Sequence, residues 1–400
     1  MLKNVSIDPV TLTQELVRIP SLTHDQDQVR LAIELCEKTL REIGFDTRMM
    51  PFESADGVTV HNVYARFHGG EPVDDDPSDF LFCGHVDVVP PGDTDSWHHP
   101  PYSGQVDKKN MYGRGMADMK SAVASSMVAP ARFIADTDGH FPGTIHILIV
   151  GDEEDGIVHG AERGMEILAE EGIDFDAAIV GEASGFHQVA DHIKYGARGV
   201  FVGKVVSSGT QGHAAYTDVR ANPVHGINVL GQRLMENPMD DGNDHLQPTG
   251  IQITNIDVGN DTHNIVPGRA EATLDIRFIA DHSMAYVAQF IQTHCEAVSD
   301  ELDGVNLKLM DYHGGEAFLS HDPDYLTLLA DSIETVVGYR PEMTTIGGSS
   351  DARFIAPYCP VVHIGHLNHT IHQVDEHILI DDIERLTAIY TDILHRFYQA

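Results

Sequence analysis

Three runs in the first half of the chain, Phe80 to Gly84 (FLFCG), Thr144 to Val150 (TIHILIV) and Ala177 to Val180 (AAIV), are apolar almost without interruption. A strand with one wet face alternates apolar and polar residues, so runs like these read as strands covered on both faces. Helical patterns lie around them, near Leu12 to Arg18, Gln28 to Ile43, Lys120 to Ala135 and Gly160 to Glu170. Such strands separated by helices demand a mainly parallel sheet flanked by helices, the α/β class. A length of 400 residues adds a second expectation, two domains.

The pattern changes from Val200. The order becomes strand (VFVGKVVSSG), helix (Asn222 to Glu236), two strands (GIQITNIDV and EATLDIRFI), helix (Met284 to Ser299) and strand (VNLKLMDYH). That is the βαββαβ order of a ferredoxin-like α+β unit. Beyond Gly314 the first pattern resumes, with a helix near Tyr325 to Val337, a strand at Val361 to Ile364 and a closing helix near Asp382 to Tyr398. The expected division is a first domain made of residues 1–198 and 313–400, interrupted by an insert at 199–312. Pro130 is expected to kink or end its helix, and EPVDDDPSD at 71–79 to form a surface loop.

Charge narrows the functional classes. Lys and Arg number 25 against 62 Asp and Glu, a formal charge of −37, with 40 Asp and only 8 Lys. Nucleic acid and anionic membrane surfaces would repel this chain, while 42% apolar residues exclude an acidic disordered tail. Two readings of the charge stay open: a merely solvated surface, or adaptation to high salt, which screens self-repulsion. Met1 to Ser21 has no apolar leader core and no run is long enough to span a membrane, so a cytoplasmic location is expected. Cys36, Cys83, Cys295 and Cys359 are scattered without a CxxC pair, as free thiols of a reducing compartment are.

Several apolar strands end in potential metal ligands. LFCGHVD carries His85 and Asp87, ILIVGDEED carries Glu153 and Glu154, AIVGE carries Glu182, and His372 in HTIH follows VVHIG. In open α/β sheets ligands bind outside the carboxyl ends of the strands, so these residues can converge. GRGMADMKSA places Asp118 just before a helix. One buried histidine is usually a core residue and one acidic pair usually a solvated turn, but five segments with one placement are neither. Imidazole and carboxylate without thiolate suit zinc, cobalt or manganese, and the number of donors is enough for two ions sharing a bridge. Asp87, two residues from His85 on an extended chain, can accept the second ring N–H of that histidine. Glu153 and Glu154 point to opposite sides, so one can ligate while the other faces the attacking water.

GHVDVVPPGD at 84–93, YGRGMADMKSA at 112–122, DEE at 152–154, GEAS at 181–184, GTQGHAAY at 209–216, NIVPG at 264–268, GGSSDARFIA at 347–356 and TIHQVDE at 370–376 resemble the dizinc aminoacyl exopeptidase and deacylase family. The last two and NIVPG look like the versions of its desuccinylase branch. The resemblance covers nearly the whole chain in order. It implies hydrolysis of the amide of N-succinyl-LL-2,6-diaminopimelate, with a sister deacylation such as that of acetylornithine, or a silent metal-stabilised binding dimer, as alternatives.

The resemblance also implies two Zn2+ per subunit, replaceable by Co2+. His85 and Glu182 would hold one and Glu154 and His372 the other, with Asp118 bridging both across a cis bond to Met119. Glu153 would be the general base and acid, with Asp87 orienting. The insert would serve as lid and dimerisation domain of a homodimer, lending His213 to the neighbouring subunit's site. Carboxylates of an anionic small-molecule substrate would meet Arg198 and Arg277, with Tyr216, Asn264, Gly348 and Ser349 around them. Ala183, Thr217, His263 and Ser349 depart from the family's usual residues, and none of them is a metal ligand.

Overall fold

The continuous apolar runs form the middle of an eight-stranded sheet. Gly143–Val150, Ser78–His85, Ala177–Val180 and Val361–His363 lie side by side in that order, all parallel. Val63–His68 and then Asp46–Met49 extend one side antiparallel. His192–Lys194 and Glu342–Thr344 extend the other, the first antiparallel to Val361–His363 and the two parallel to each other. Phe80, Leu81, Phe82 and Cys83 are all buried, as strands covered on both faces require. The computed structural model describes residues 7–54, 57–70, 78–154, 160–216 and 221–399; most of the expected acidic loop, 71–77, and Thr217 lie outside the described residues.

Helices close this sheet by burying stripes at helical spacing. In Gln26–Ile43, Val29, Ile33, Cys36 and Leu40 share the buried face, Asp25 caps the start by accepting the Gln28 N–H, and Gly44 ends it at φ 118°. Ser121–Asp136, Pro323–Val337 and Ile380–Phe397 contribute Met127, Phe133, Leu329, Ile333, Leu386 and Tyr390 to the same core. Pro130 neither ends nor interrupts its helix, which continues to Asp136. Ten consecutive residues of that helix, Ser121 to Pro130, are buried, and this packing outweighs the roughly 3 kcal/mol that an interior proline costs.

Gly196–Leu319 and Thr345–Ser349 form a second unit, and the remainder of the chain forms the first. Gly250–Asp257, Arg269–Phe278, Gly199–Ser208 and Asn306–Gly315 make an antiparallel sheet in that spatial order, with helices Pro223–Glu236 and Met284–Glu301 completing the βαββαβ unit. Strict alternation of buried and partly exposed residues along Ala270 to Phe278 gives this unit a core of its own, including Phe201, Leu274, Ile276 and Ile291. Its limits are wider than 199–312, because Gly196–Ala197 pairs with Phe318–Leu319 and the last long strand runs on to Gly315 opposite Val200. At Gly314, φ is 151° and a Cβ would lie 1.8 Å from the Val200 carbonyl, so this edge closes only with glycine. All four cysteines are free and buried, and among the described residues no helix is long and apolar enough to cross a membrane.

Candidate metal centre

The four parallel strands of the first unit deliver their carboxyl ends to one edge. His85 is the last residue of Ser78–His85, Glu153 and Glu154 follow Gly143–Val150, Glu182 follows Ala177–Val180, and the chain beyond Val361–His363 leads to His372. Ligand atoms of His85, Asp118 and Glu154 lie within 4.8 Å of one another, as do those of His85, Glu153 and Glu182. His85 Nε2 is 3.2 Å from Asp118 Oδ1 and 3.5 Å from Glu182 Oε1. His372 Nε2 is 3.2 Å from Asp118 Oδ2 and 3.1 Å from Glu154 Oε2. Asp118 thus offers one oxygen to each imidazole, the disposition of a bridging carboxylate.

Local sequence explains how Asp118 is held. Gly115 takes φ 80°, and a Cβ there would fall 2.4 Å from Val88 Cγ1, so glycine is required at the turn. Met116–Lys120 then winds as a wide π-type turn in which Asp118 and Met119 leave helical geometry, with the peptide between them cis. Lys120 is fully buried, its Nζ donating to the carbonyls of Leu16 and Ile19 at 3.0 and 2.8 Å.

Asp87 takes a different part from the one its spacing suggests. His85 Nδ1–H donates to the Asp87 backbone carbonyl at 3.0 Å, while the carboxylate stands 3.5 Å away. That bond fixes the tautomer and leaves Nε2 as the donor atom for a metal. The carboxylate itself accepts from Thr23 Oγ1 at 2.8 Å and from the backbone N–H of Glu153 and Glu154 at 3.2 and 3.1 Å. It therefore aims both glutamates at once.

Charge at this edge is unbalanced in favour of anions. Burial pushes the Glu182 carboxyl up to about 7, with the Asp118 charge adding to it, and burial with the Glu182 charge pushes Glu153 well above the ordinary carboxylate range. Burial would lower His85, but the surrounding carboxylates of Asp118, Asp87 and Glu182 raise it well above its ordinary value. Bonds to Asp118 and Glu154 raise the half-exposed His372 to about 10. Buried carboxylates that resist ionisation and imidazoles that hold protons both report a demand for cations. Metal ions fit this donor set, since bound ions displace those protons and satisfy the carboxylates.

The remaining candidate residues belong to the second unit. His213 lies in a two-residue strand, Gly212–His213, paired with Ile265–Val266, and is exposed. Its Nδ1 accepts from the Ala215 N–H at 3.1 Å, which leaves Nε2 as an outward donor. The exposed Tyr216 ring meets it edge-on at 5.6 Å, and the Asn264 carbonyl accepts from the Ala214 N–H, so these three residues gather where two short strands distant in sequence pair. Arg277 donates to both oxygens of Asp275, at 2.8 and 3.1 Å, and Arg198 donates to the Pro248 carbonyl at 3.1 Å. Gly348 and Ser349 lie in the Thr345–Ser349 segment of the same unit.

Glu376, Arg114 and Asp351 escaped the reading of the sequence. Asp351, buried at the start of helix Ala352–Ile355, is pushed up to about 6 chiefly by burial. Glu376 is fully buried and paired at 2.6 Å with Arg114. Neither acid ends an apolar strand, so the signal that marked the other ligands was missing; the only cue was their place within GGSSDARFIA and TIHQVDE.

The profile of peptidase family M20/M25/M40 matches residues 81–396. Succinyl-diaminopimelate desuccinylase of Maricaulis maris is 39% identical over 398 residues, covering 100% of this chain and 98% of that one. Among solved structures, an M20 family metallo-carboxypeptidase from Sulfolobus solfataricus superposes with a TM-score of 0.75 at 16% identity, over 99% of this chain and 100% of that one. A dinuclear metal-binding peptidase of family M20 from Bacillus subtilis gives 0.71 at 14% identity over 98% of each chain.

Proposed function

The chain belongs to peptidase family M20/M25/M40, and on that premise we propose that it hydrolyses N-succinyl-LL-2,6-diaminopimelate to succinate and LL-2,6-diaminopimelate. This is a cytoplasmic step of lysine and peptidoglycan biosynthesis. It is a metal-dependent hydrolase, and the metal is zinc, two ions per subunit, with cobalt able to replace it. The observation that supports this most is the sharing of Asp118 between His85 and His372, with Glu153 set beside His85 and Glu182.

His85 and Glu182 would hold one zinc, Glu154 and His372 the other, and Asp118 both; the chemistry such ions would supply is polarisation of the amide carbonyl and acidification of the attacking water. Glu153 takes the proton of that water as its oxygen attacks the amide carbon, and the raised affinity of its carboxyl for protons suits the task. It then delivers the proton to the leaving amine as the C–N bond breaks. Asp87 holds the backbone of Glu153 and Glu154 in place meanwhile. His213 donates through Nε2 to the developing oxyanion. Arg198 and Arg277 receive substrate carboxylates, which an otherwise strongly acidic protein needs local guanidinium groups to bind.

In this reading the enzyme is a homodimer in which each subunit lends its His213 to the other's centre. Side-by-side hydrolysis of succinyl-diaminopimelate and acetylornithine, in zinc-supplemented and in chelated buffer, tests the function. Zinc-dependent release of succinate in clear preference to acetate is expected; preference for acetylornithine would reassign the substrate, and absence of both activities would remove the enzymatic reading.

A further inference from the structure

A turn as wide as Met116–Lys120 leaves backbone N–H groups without helical partners, and such groups inside a protein must find acceptors. Here they converge on a single side chain from the far end of the sequence. Glu376 Oε1 accepts from the N–H of Ala117 at 2.8 Å and of Asp118 at 3.2 Å. Its Oε2 accepts from the N–H of Gly115 at 3.1 Å and from Arg114 Nη1 at 2.6 Å. The Glu376 backbone carbonyl takes a further bond from the Gly113 N–H at 2.9 Å. Three successive-turn amides around a carboxylate make an anion cradle, and the carboxylate in it is shielded completely from water.

Arg114 carries the same clamp outward. Its guanidinium lies over the Trp97 ring at 5.4 Å and approaches the Pro90 carbonyl at 3.4 Å. The loop on which Glu376 sits is shaped sharply, with His372 and Asp375 both at positive φ, 60° and 56°. Asp375 is itself tied down by the N–H groups of His98 and His99 at 2.9 and 3.2 Å. Only three residues lie between His372 and Glu376, and one of the amides that Glu376 grips is that of Asp118. One buried carboxylate therefore joins the loop of a terminal ligand to the turn of the bridging ligand.

We propose that Glu376 is a positioning residue of the metal centre, fixing the Asp118 turn against the His372 loop so that one carboxylate and two imidazoles stay in register for two ions. It touches neither substrate nor the reacting atoms and acts through Asp118 and His372. The inference rests on the metal-centre reading above, so its test begins with metal rather than with substrate.

The test compares zinc affinity, measured by competition with a chromophoric chelator, in the full-length protein and in Glu376→Gln, Glu376→Asp and Phe133→Leu variants. Glutamine keeps the shape but turns an NH2 group toward backbone donors; aspartate keeps the charge facing Arg114 and withdraws the oxygens by one methylene. Partners of metal ligands typically change affinity about 10- to 100-fold. Both Glu376 variants should lose zinc affinity in that range, and at saturating zinc their kcat should fall while KM stays. Phe133→Leu, a core change more than three turns along the helix that follows the Asp118 turn, should lower Tm with no change in zinc affinity of the folded protein. If Glu376→Gln fails to fold, Glu376→Asp decides. A folded Glu376 variant with wild-type zinc affinity and kcat overturns the proposal and leaves the metal reading intact; wild-type protein that takes up no zinc overturns both.

Discussion

Glu153 and Glu154 are neighbours in the chain with opposite assignments, which makes them the sharpest place to test the reading. Their backbone N–H groups are both held by Asp87, at 3.2 and 3.1 Å, so a change from Glu to Gln at either side chain leaves the loop anchored. Glu153→Gln removes a proton carrier. General acid–base catalysis contributes about 100- to 10,000-fold, which at about 1.36 kcal/mol per tenfold is a barrier increase of about 2.7–5.4 kcal/mol. This variant should keep two metal ions per subunit and lose rate by that factor. Glu154→Gln instead withdraws an anionic partner from the pair at 3.1 Å from His372 Nε2, so it should lose one ion on dialysis as well as activity. Elemental analysis per subunit and initial rates at saturating zinc read the two effects separately. The outcome is open to refutation on physical grounds, since Glu153 reaches the same atoms of His85 and Glu182 that a ligand would. Equal loss of metal in both variants would make Glu153 a ligand and leave the reaction without its base.

Arg277→Lys keeps the charge but not the planar fork that now engages Asp275, and loss of a charge-assisted bidentate contact, about 1.5–3 kcal/mol, should reduce kcat/KM by roughly 10- to 150-fold; an unchanged value would move the carboxylate pocket elsewhere. His366 is wholly buried with no hydrogen-bond partner on either ring nitrogen among the described residues, and burial lowers its pKa to about 3. The unfolded chain, with histidine near 6.5, takes up a proton between these values that the folded chain refuses, so stability falls as pH drops from 6.5 toward 3 by up to about 1.4 kcal/mol per pH unit. His366→Leu should lose less stability than wild type between pH 7 and pH 5 in urea unfolding, and equal losses would refute the assignment. Raising KCl from 0.1 to 1 M shortens the Debye length from about 10 to about 3 Å, so Tm of this −37 chain should rise; a steady fall would count against salt adaptation. Finally, if the proposed homodimer shares its sites, Glu153→Ala and His213→Ala subunits, each inactive alone, should regain about a quarter of wild-type activity after exchange, because half the dimers would be mixed and each mixed dimer would have one intact site. No recovery, with exchange verified by mass spectrometry, would make His213 a residue of its own subunit.

The parts of the structure that were legible in the sequence are those where one physical rule acts alone. Ala177–Val180 and the helix Gln26–Ile43 follow from apolar runs and helical spacing, and the strand ends placed His85, Glu154 and Glu182 on one edge before any geometry was known. Short outer strands such as Asp46–Met49 and Glu342–Thr344, mostly exposed and three or four residues long, carry no comparable pattern. That Pro130 does not end its helix reflects the packing around that helix, which local propensity leaves out. Asp87 was recognised as an orienting group, yet its main partners, Thr23 and two backbone amides, have no signature in composition or spacing. Glu376 was hidden for the same reason: its value lies in backbone donors 258 to 261 residues away.

This division of legibility follows the division of labour between the two units. In the first unit two segments of the candidate metal centre are held by hydrogen bonds that cross the chain, from Asp87 to the Glu153–Glu154 loop and from Glu376 to the Asp118 turn. A change there leaves buried polar groups unpaired, at a cost of about 1–3 kcal/mol each, so the chemistry is constrained whatever the substrate. In the second unit His213, Tyr216 and Asn264 stand exposed at a pair of two-residue strands, where substitution costs little folding energy. His263 and Ser349, which depart from the family's usual residues, both belong to this unit. On the proposed reading, changes of substrate therefore come cheaply on that side and changes of mechanism do not, whereas the fold itself is shared with solved structures at only 14% and 16% identity.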